Sequence, residues 1–195
     1  MELRLNTRAD KALLDAMGPQ VVFVAEGSEP RKLALPGADG ANVTDALAVL
    51  SGKVVPGEKT VIIGGGLVAC ELALHLAQSG RAVTLLARRA LLRSSKLPPM
   101  NDFMLRDLLV FNKVDIIEGA APEAVNETGV IYRLNDQPAL AEADTVIAAV
   151  GMERRHSLFD QIRNDYENVL AIGDGRKVRN IQGAIWDSYE AARYM

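Results

Sequence analysis

The stretch "VIIGGGLVACELALHLAQSGRAVTLLARR", residues 61–89, limits the possible folds more than any other part of the chain. A short, unbroken run of β-formers ends in three glycines, a helical period of apolar residues follows, and a second β-rich run closes the unit. Such a run predicts a strand at 60–63, a helix at 66–79 and a strand at 82–87. Two strands joined by one helix must lie parallel, and parallel strands are covered on both faces. The expected fold class is therefore α/β, a Rossmann-like parallel sheet with helices on both faces.

The turn reads Gly64-x-Gly66-x-x-Ala69, directly after a strand and directly before a helix. In that context the first glycine permits a tight turn, the second lets backbone approach a pyrophosphate, and the third small residue lets the helix press on the strand. Gly64, Gly65, Gly66, Leu67, Val68 and Ala69 are thus the candidate phosphate cradle. The positive end of the helix adds about 1 kcal/mol for an anion beyond the hydrogen bonds. Close packing alone is the competing use of such a turn. On the helix, Leu67, Cys70, Leu74 and Ala77 form an apolar stripe, and Glu71, His75 and Gln78 lie on another face.

The end of the second strand selects between nicotinamide cofactors. An acid there accepts hydrogen bonds from the ribose 2′-hydroxyl of NAD, but Ala87 holds that place, with Arg88 and Arg89 next. From Leu72 to Asn101 there is no Asp or Glu, whereas Arg81, Arg88, Arg89, Arg93 and Lys96 all fall in that window. A 2′-phosphate would find partners here, which favours NADP over NAD; solvated surface cations are the alternative.

Elsewhere, residues 2–6 alternate like a short strand, 10–17 carry a helical pattern stopped by Gly18 and Pro19, and "VVFVA" at 21–25 reads as a strand covered on both faces. A helix at 44–50 takes Thr44 as its N-cap, and "SGKVVPGEK" reads as a linker. Further on come a helix at 100–111, the strand "VDIIEG", and an antiparallel pair over 122–135 turning at "NETG". A buried strand in "DTVIAAVG", a helix near 156–163, the strand "NVLAIGD" and a last helix over 180–194 complete the reading.

Composition narrows the function. With 49% hydrophobic and 24% charged residues the 195-residue chain can build a core, and its net charge of −3 offers no field to attract nucleic acid or an acidic membrane. No apolar run approaches the ~20 residues of a membrane span, and no signal peptide opens the chain, so a cytoplasmic location is expected. Cys70 is the only cysteine, which excludes an internal disulfide, a C-x-x-C redox pair and a cysteine cage for metal. No metal site and no catalytic side chain of the chain's own are expected.

Four stretches carry a family resemblance: "VVFVAEGSEPRKLALPG"; "VLSGK" followed by the glycine unit; "ADTVIAAVG"; and "NVLAIGD" running into "IQGAIWDSYEAAR". In that order they resemble the C-terminal FAD/NAD(P)-binding region of the old-yellow-enzyme-like group of 2,4-dienoyl-CoA reductase, enoate reductase and trimethylamine dehydrogenase. The resemblance implies an NAD(P)-binding domain at 52–143 inserted in a partial FAD-binding domain at 1–51 and 144–195. It implies that Asp174 in "AIGDG" meets the flavin's ribityl chain, that Glu71 lies near the nicotinamide side, and that Gly151 in "GMERRHS" sits beside the pyridine nucleotide. A capping Asp and a solvated Glu are the structural alternatives.

The same resemblance implies hydride transfer from NADPH to FAD, and from there through a 4Fe-4S centre and FMN to an unsaturated enoyl- or dienoyl-type substrate. The barrel carrying FMN, the cluster cysteines and the first flavin-binding unit would all lie upstream, so the chain looks like part of a longer protein and is inactive alone. A non-catalytic ADP- or NADP-binding module, or a docking domain for that barrel, stays open. One departure is plain: the family's Ala-Thr-Gly turn is Ala25-Glu26-Gly27 here, and a carboxylate beside a dinucleotide phosphate is unfavourable unless it points to water.

Overall fold

A computed structural model describes residues 2–93 and 97–194. Along the chain the first elements are α1 (Lys11–Met17), β1 (Val22–Val24), β2 (Ser28–Pro30), β3 (Val43–Asp45), α2 (Ala46–Leu50), β4 (Lys59–Ile63), α3 (Leu67–Gln78), β5 (Ala82–Ala87) and α4 (Pro99–Phe111). There follow β6 (Asp115–Glu118), β7 (Ala121–Asn126), β8 (Gly129–Leu134), β9 (Gln137–Glu142), β10 (Thr145–Ala148), β11 (Met152–Arg154), α5 (Ser157–Ile162), β12 (Val169–Ala171) and α6 (Ile181–Arg193). A 3-10 turn over Gly173–Gly175 precedes the last helix. The chain divides into two compact units, Pro30–Gly151 and the pair Met1–Glu29 with Met152–Met195.

In the unit Pro30–Gly151 five parallel strands run in the order β3-β10-β4-β5-β6. The fold is α/β and Rossmann-like, as the glycine unit requires. Side chains alternate across β4, so Ile62 faces one layer while Val61 and Ile63 face the other. On the first face Ile62, Leu85 and Ile147 pack with Ala69, Cys70, Leu72, Ala73 and Leu76 of α3 and with Leu105 and Leu109 of α4. Each large aliphatic side chain buried there contributes about 1.5–3 kcal/mol.

The second face differs from the expectation of helices on both sides. It is covered by the antiparallel sheet β7-β8-β9, whose Val125, Val130, Tyr132 and Ala141 pack on Val61, Ile63, Leu86 and Val146. The hairpin turning at "NETG" forms as expected, but β9 extends it. Its strand "QPALAE" carries little β-former signal. The hairpin is instead closed by Asn135 and Asp136, both at positive φ (50° and 62°), the conformation a two-residue reverse turn needs.

β3 and β10 hydrogen-bond into the same sheet as β4, which draws residues 43–45 and 145–148 to the glycine turn's side of the division. Backbone pairing outweighs the position of the apparent linker.

In the other unit β1 and β12 form a two-stranded parallel sheet, and Val22 and Val24 pack with Ile162 of α5. Phe23, between them, is 42% exposed, so β1 is covered on one face and not on both. Residues 2–6 form no strand, and among the described residues none pairs with them to complete a ladder. The N-cap of α2 is Asp45 rather than Thr44, its carboxylate accepting the Ala48 N–H at 2.9 Å. The ends of α1 fall where Asp10 and Gly18 cap it, Gly18 at φ 57°. Among the described residues no helix is long and apolar enough to cross a membrane.

Candidate functional site: a glycine turn at the sheet's switch point

Chain connectivity runs outward from β4 to β5 and β6 on one side, while β10 arrives on the other. The carboxyl end of β4 therefore lies where strand order reverses, the place where open α/β sheets form a crevice. The glycine turn occupies that end. Gly66 is the N-cap of α3, with extended backbone and no side-chain cap, so the first N–H groups of the helix have no intrahelical acceptor.

The three glycines are there for different reasons. Gly64 has φ 150°, and a Cβ on it would stand 2.3 Å from the Ala149 carbonyl oxygen at the end of β10. Gly65 faces Ala87 and Leu91, and a Cβ there would lie 2.9 Å from the Ala87 methyl. These two are explained by the protein's own packing. Among the described residues nothing lies within 4 Å of the position a Cβ on Gly66 would take, so it faces open space there. Packing among the described residues does not require its small size, and room beside free N–H groups is what a close-approaching anion requires.

Ala69 is fully buried against the sheet, while Leu67 is half-buried and Val68 is exposed. The buried stripe of α3 is centred on Ala69, Cys70, Leu72, Ala73 and Leu76, with Leu67, Leu74 and Ala77 at its margin. Glu71, His75 and Gln78 are exposed, as their helical spacing predicted. The Glu71 carboxylate has no hydrogen-bond partner among the described residues. Burial pushes the Cys70 thiol up to about 11, so it packs as a small apolar group rather than a thiolate.

The structure brings the end of β5 against this turn. Ala87 is buried beside Gly65, and the Leu92 N–H donates to the Gly65 carbonyl at 2.7 Å. Arg88, Arg89 and Arg93 are exposed on the segment between and just beyond these points, without a carboxylate partner among the described residues. Lys96 lies outside the described residues. Arg81, from the same cationic window, is instead engaged with the Pro56 carbonyl at 3.2 Å. Gly151 follows β10, exposed and at φ 108°, its carbonyl accepting the Arg31 N–H at 3.0 Å.

Asp174 belongs to the other unit. Its two carboxylate oxygens accept the Ser28 hydroxyl and the Arg179 backbone N–H, each at 3.0 Å. It therefore ties together the turn after β12, and each oxygen keeps capacity for one more donor. Glu26 corrects the expectation drawn from its charge. Its carboxylate caps α5, accepting from the Ser157 hydroxyl (2.9 Å) and from the N–H groups of Leu158 (3.1 Å) and Phe159 (3.3 Å). Burial acts to raise its pKa, but these hydrogen bonds prevail and hold it below the ordinary Glu value.

Sequence reasoning missed the polar groups under the arginine segment. Glu118, at the end of β6, accepts the Leu91 N–H at 2.6 Å and pairs with Arg106 of α4 at 3.3 Å. The only sequence signal was two charges flanking a short strand.

Residues 15–168 match the family described as pyridine nucleotide-disulphide oxidoreductase. The chain is 37% identical over 195 residues to cinnamate reductase of Clostridium sporogenes, covering 99% of this chain and 29% of that protein. It is 28% identical over 203 residues to a metal reductase of Desulforamulus reducens, covering 89% of this chain and 30% of that one. Among solved structures, 2-naphthoyl-CoA reductase in complex with 2-naphthoyl-CoA superposes with a TM-score of 0.91 at 28% identity, over 98% of this chain and 29% of that one. The chain thus spans less than a third of the length of these relatives. Its switch-point glycine turn and its match over most of its length agree: the chain belongs to the pyridine nucleotide-disulphide oxidoreductase family.

Proposed function

We propose that the unit Pro30–Gly151 binds NADPH, with the pyrophosphate on Gly64–Ala69 and the 2′-phosphate beside Arg88, Arg89 and Arg93. Family membership implies NAD(P) and FAD as the cofactors. The observation that carries the preference for NADPH is the surface around the turn: Gly66 opens on empty space, and the neighbouring β5 end offers exposed guanidinium groups where an acid would favour NAD. The residues present fit the group. Glu71 and Gly151 are proposed for the nicotinamide side, and Asp174 for the flavin in the other unit, where its carboxylate retains acceptor capacity.

When bound, NADPH supplies a hydride and FAD accepts it, on the way to an unsaturated substrate of enoyl or dienoyl type in the longer protein. The names of the similar proteins, a cinnamate reductase and a 2-naphthoyl-CoA reductase, support that substrate class. This chain's own residues bind and orient: backbone N–H groups fix the pyrophosphate, and the arginines select the adenosine end. Fluorescence titration with NADPH, NADH and ADP tests the reading. Tight NADPH binding with weak NADH and ADP is expected. An equal response to ADP would favour a structural nucleotide module, and no response would favour a docking domain.

A further inference from the structure

We infer that Arg106 and Glu118 form a clasp that fixes the backbone of the arginine segment and thereby sets the preference for a 2′-phosphorylated nucleotide. This inference rests on the nucleotide reading above. Both are positioning residues, because each acts through the backbone of Leu91. Glu118 Oε1 accepts the Leu91 N–H at 2.6 Å, and the Arg106 guanidinium donates to the Leu91 carbonyl. The guanidinium also meets Glu118 Oε1 and Asp102 Oδ1, each at 3.3 Å. Both polar backbone groups of one residue are thus held by one ion-paired unit.

The neighbouring bonds complete the constraint. Ahead of the segment, the Ala87 carbonyl accepts the Ala120 N–H at 3.1 Å; behind it, the Leu92 N–H is tied to Gly65 at 2.7 Å. Leu92 is held at φ 58°, a conformation a leucine adopts only under constraint, and the side chains of Leu91 and Leu92 are buried in the core between α3 and α4. Arg88 and Arg89 therefore lie between two pinned points, and Arg93 follows directly after the second. Arg106 and Glu118 are about one-third exposed, so their mutual attraction adds little stability by itself. Their contribution is geometric: with the backbone ordered in advance, the arginines lose less freedom when a phosphate binds. The pyrophosphate contacts sit on the glycine turn and do not depend on where those guanidinium groups point.

The test compares dissociation constants for NADPH and NADH in the full chain, wild type first, then Arg106→Met and Glu118→Ala, with Glu118→Gln as the conservative rescue. Arg133→Met, which breaks the exposed Arg133–Glu123 pair on the antiparallel sheet, controls for loss of an ion pair elsewhere. The clasp predicts that the NADH-to-NADPH ratio of dissociation constants falls about tenfold in Arg106→Met and Glu118→Ala. It also predicts substantial recovery in Glu118→Gln and no change in Arg133→Met. A lowered melting temperature with the ratio unmoved, or both affinities reduced alike, would overturn it. A wild type without preference for NADPH overturns the proposed selectivity itself, a result visible before any variant is measured.

Discussion

Gly64 and Gly66 are two residues apart and respond to opposite demands. At Gly64 the backbone angle and the Ala149 carbonyl leave no room for a side chain, so Gly64→Ala is expected to cost about 1–3 kcal/mol or more in a denaturant titration. At Gly66, in extended backbone and facing open space, Gly66→Ala is expected to cost about 1 kcal/mol or less. Nucleotide affinity should nevertheless fall at least about tenfold in the second variant, because a methyl group would occupy the anion's approach. Unchanged affinity in Gly66→Ala would show that the open space at this position does not serve an anion. The arginines are tested by charge reversal: Arg88→Glu with Arg89→Glu should weaken NADPH about a hundredfold and NADH only slightly. Equal weakening of both cofactors contradicts the assignment. Of these residues, the glycine spacing and the missing acid at Ala87 were readable in sequence; that, among the described residues, Gly66 faces open space while Gly64 and Gly65 are packed was not, since it depends on Ala149, Ala87 and Leu91 arriving from elsewhere.

At the scale of elements, Glu26 links the end of β1 to the start of α5 across more than a hundred residues. Its lowered folded-state pKa means that it adds stability when ionised, above the unfolded-state value near 4.5, and that this contribution is lost as pH falls through the folded-state value. Glu26→Ala should therefore lose about 1 kcal/mol at neutral pH, and the gap from wild type should close on acidification. Urea titrations at several pH values measure this, and a gap that is constant with pH would show that the charge plays no part. Helix α3 was legible because its apolar stripe repeats locally. The cap of α5 was not, because nothing near Glu26 in sequence names its partner; the residue read as an obstacle to phosphate is a helix cap.

For the molecule as a whole, the two units are built to different depths. Strands β4, β5 and β10 sit inside a sheet covered on both faces, whereas among the described residues β1 and β12 pair only with each other. Native-state hydrogen exchange should accordingly leave the amides of β4 and β5 most protected and those of β1 and β12 markedly less so. Equal protection would show that one cooperative unit spans the chain.

The sequence by itself determined the parallel βαβ core, the position of the glycine turn between β4 and α3 and the cationic character of the segment after β5, because each is encoded in residues only a few positions apart. Tertiary structure alone decided that a three-stranded sheet rather than helices covers the second face, that β3 and β10 join the glycine turn's unit, and that Arg106 and Glu118 hold the arginine segment in place. Those outcomes rest on hydrogen bonds and buried surfaces between residues far apart in the chain, and local propensity carries no record of which distant partner will satisfy a strand edge or a charge.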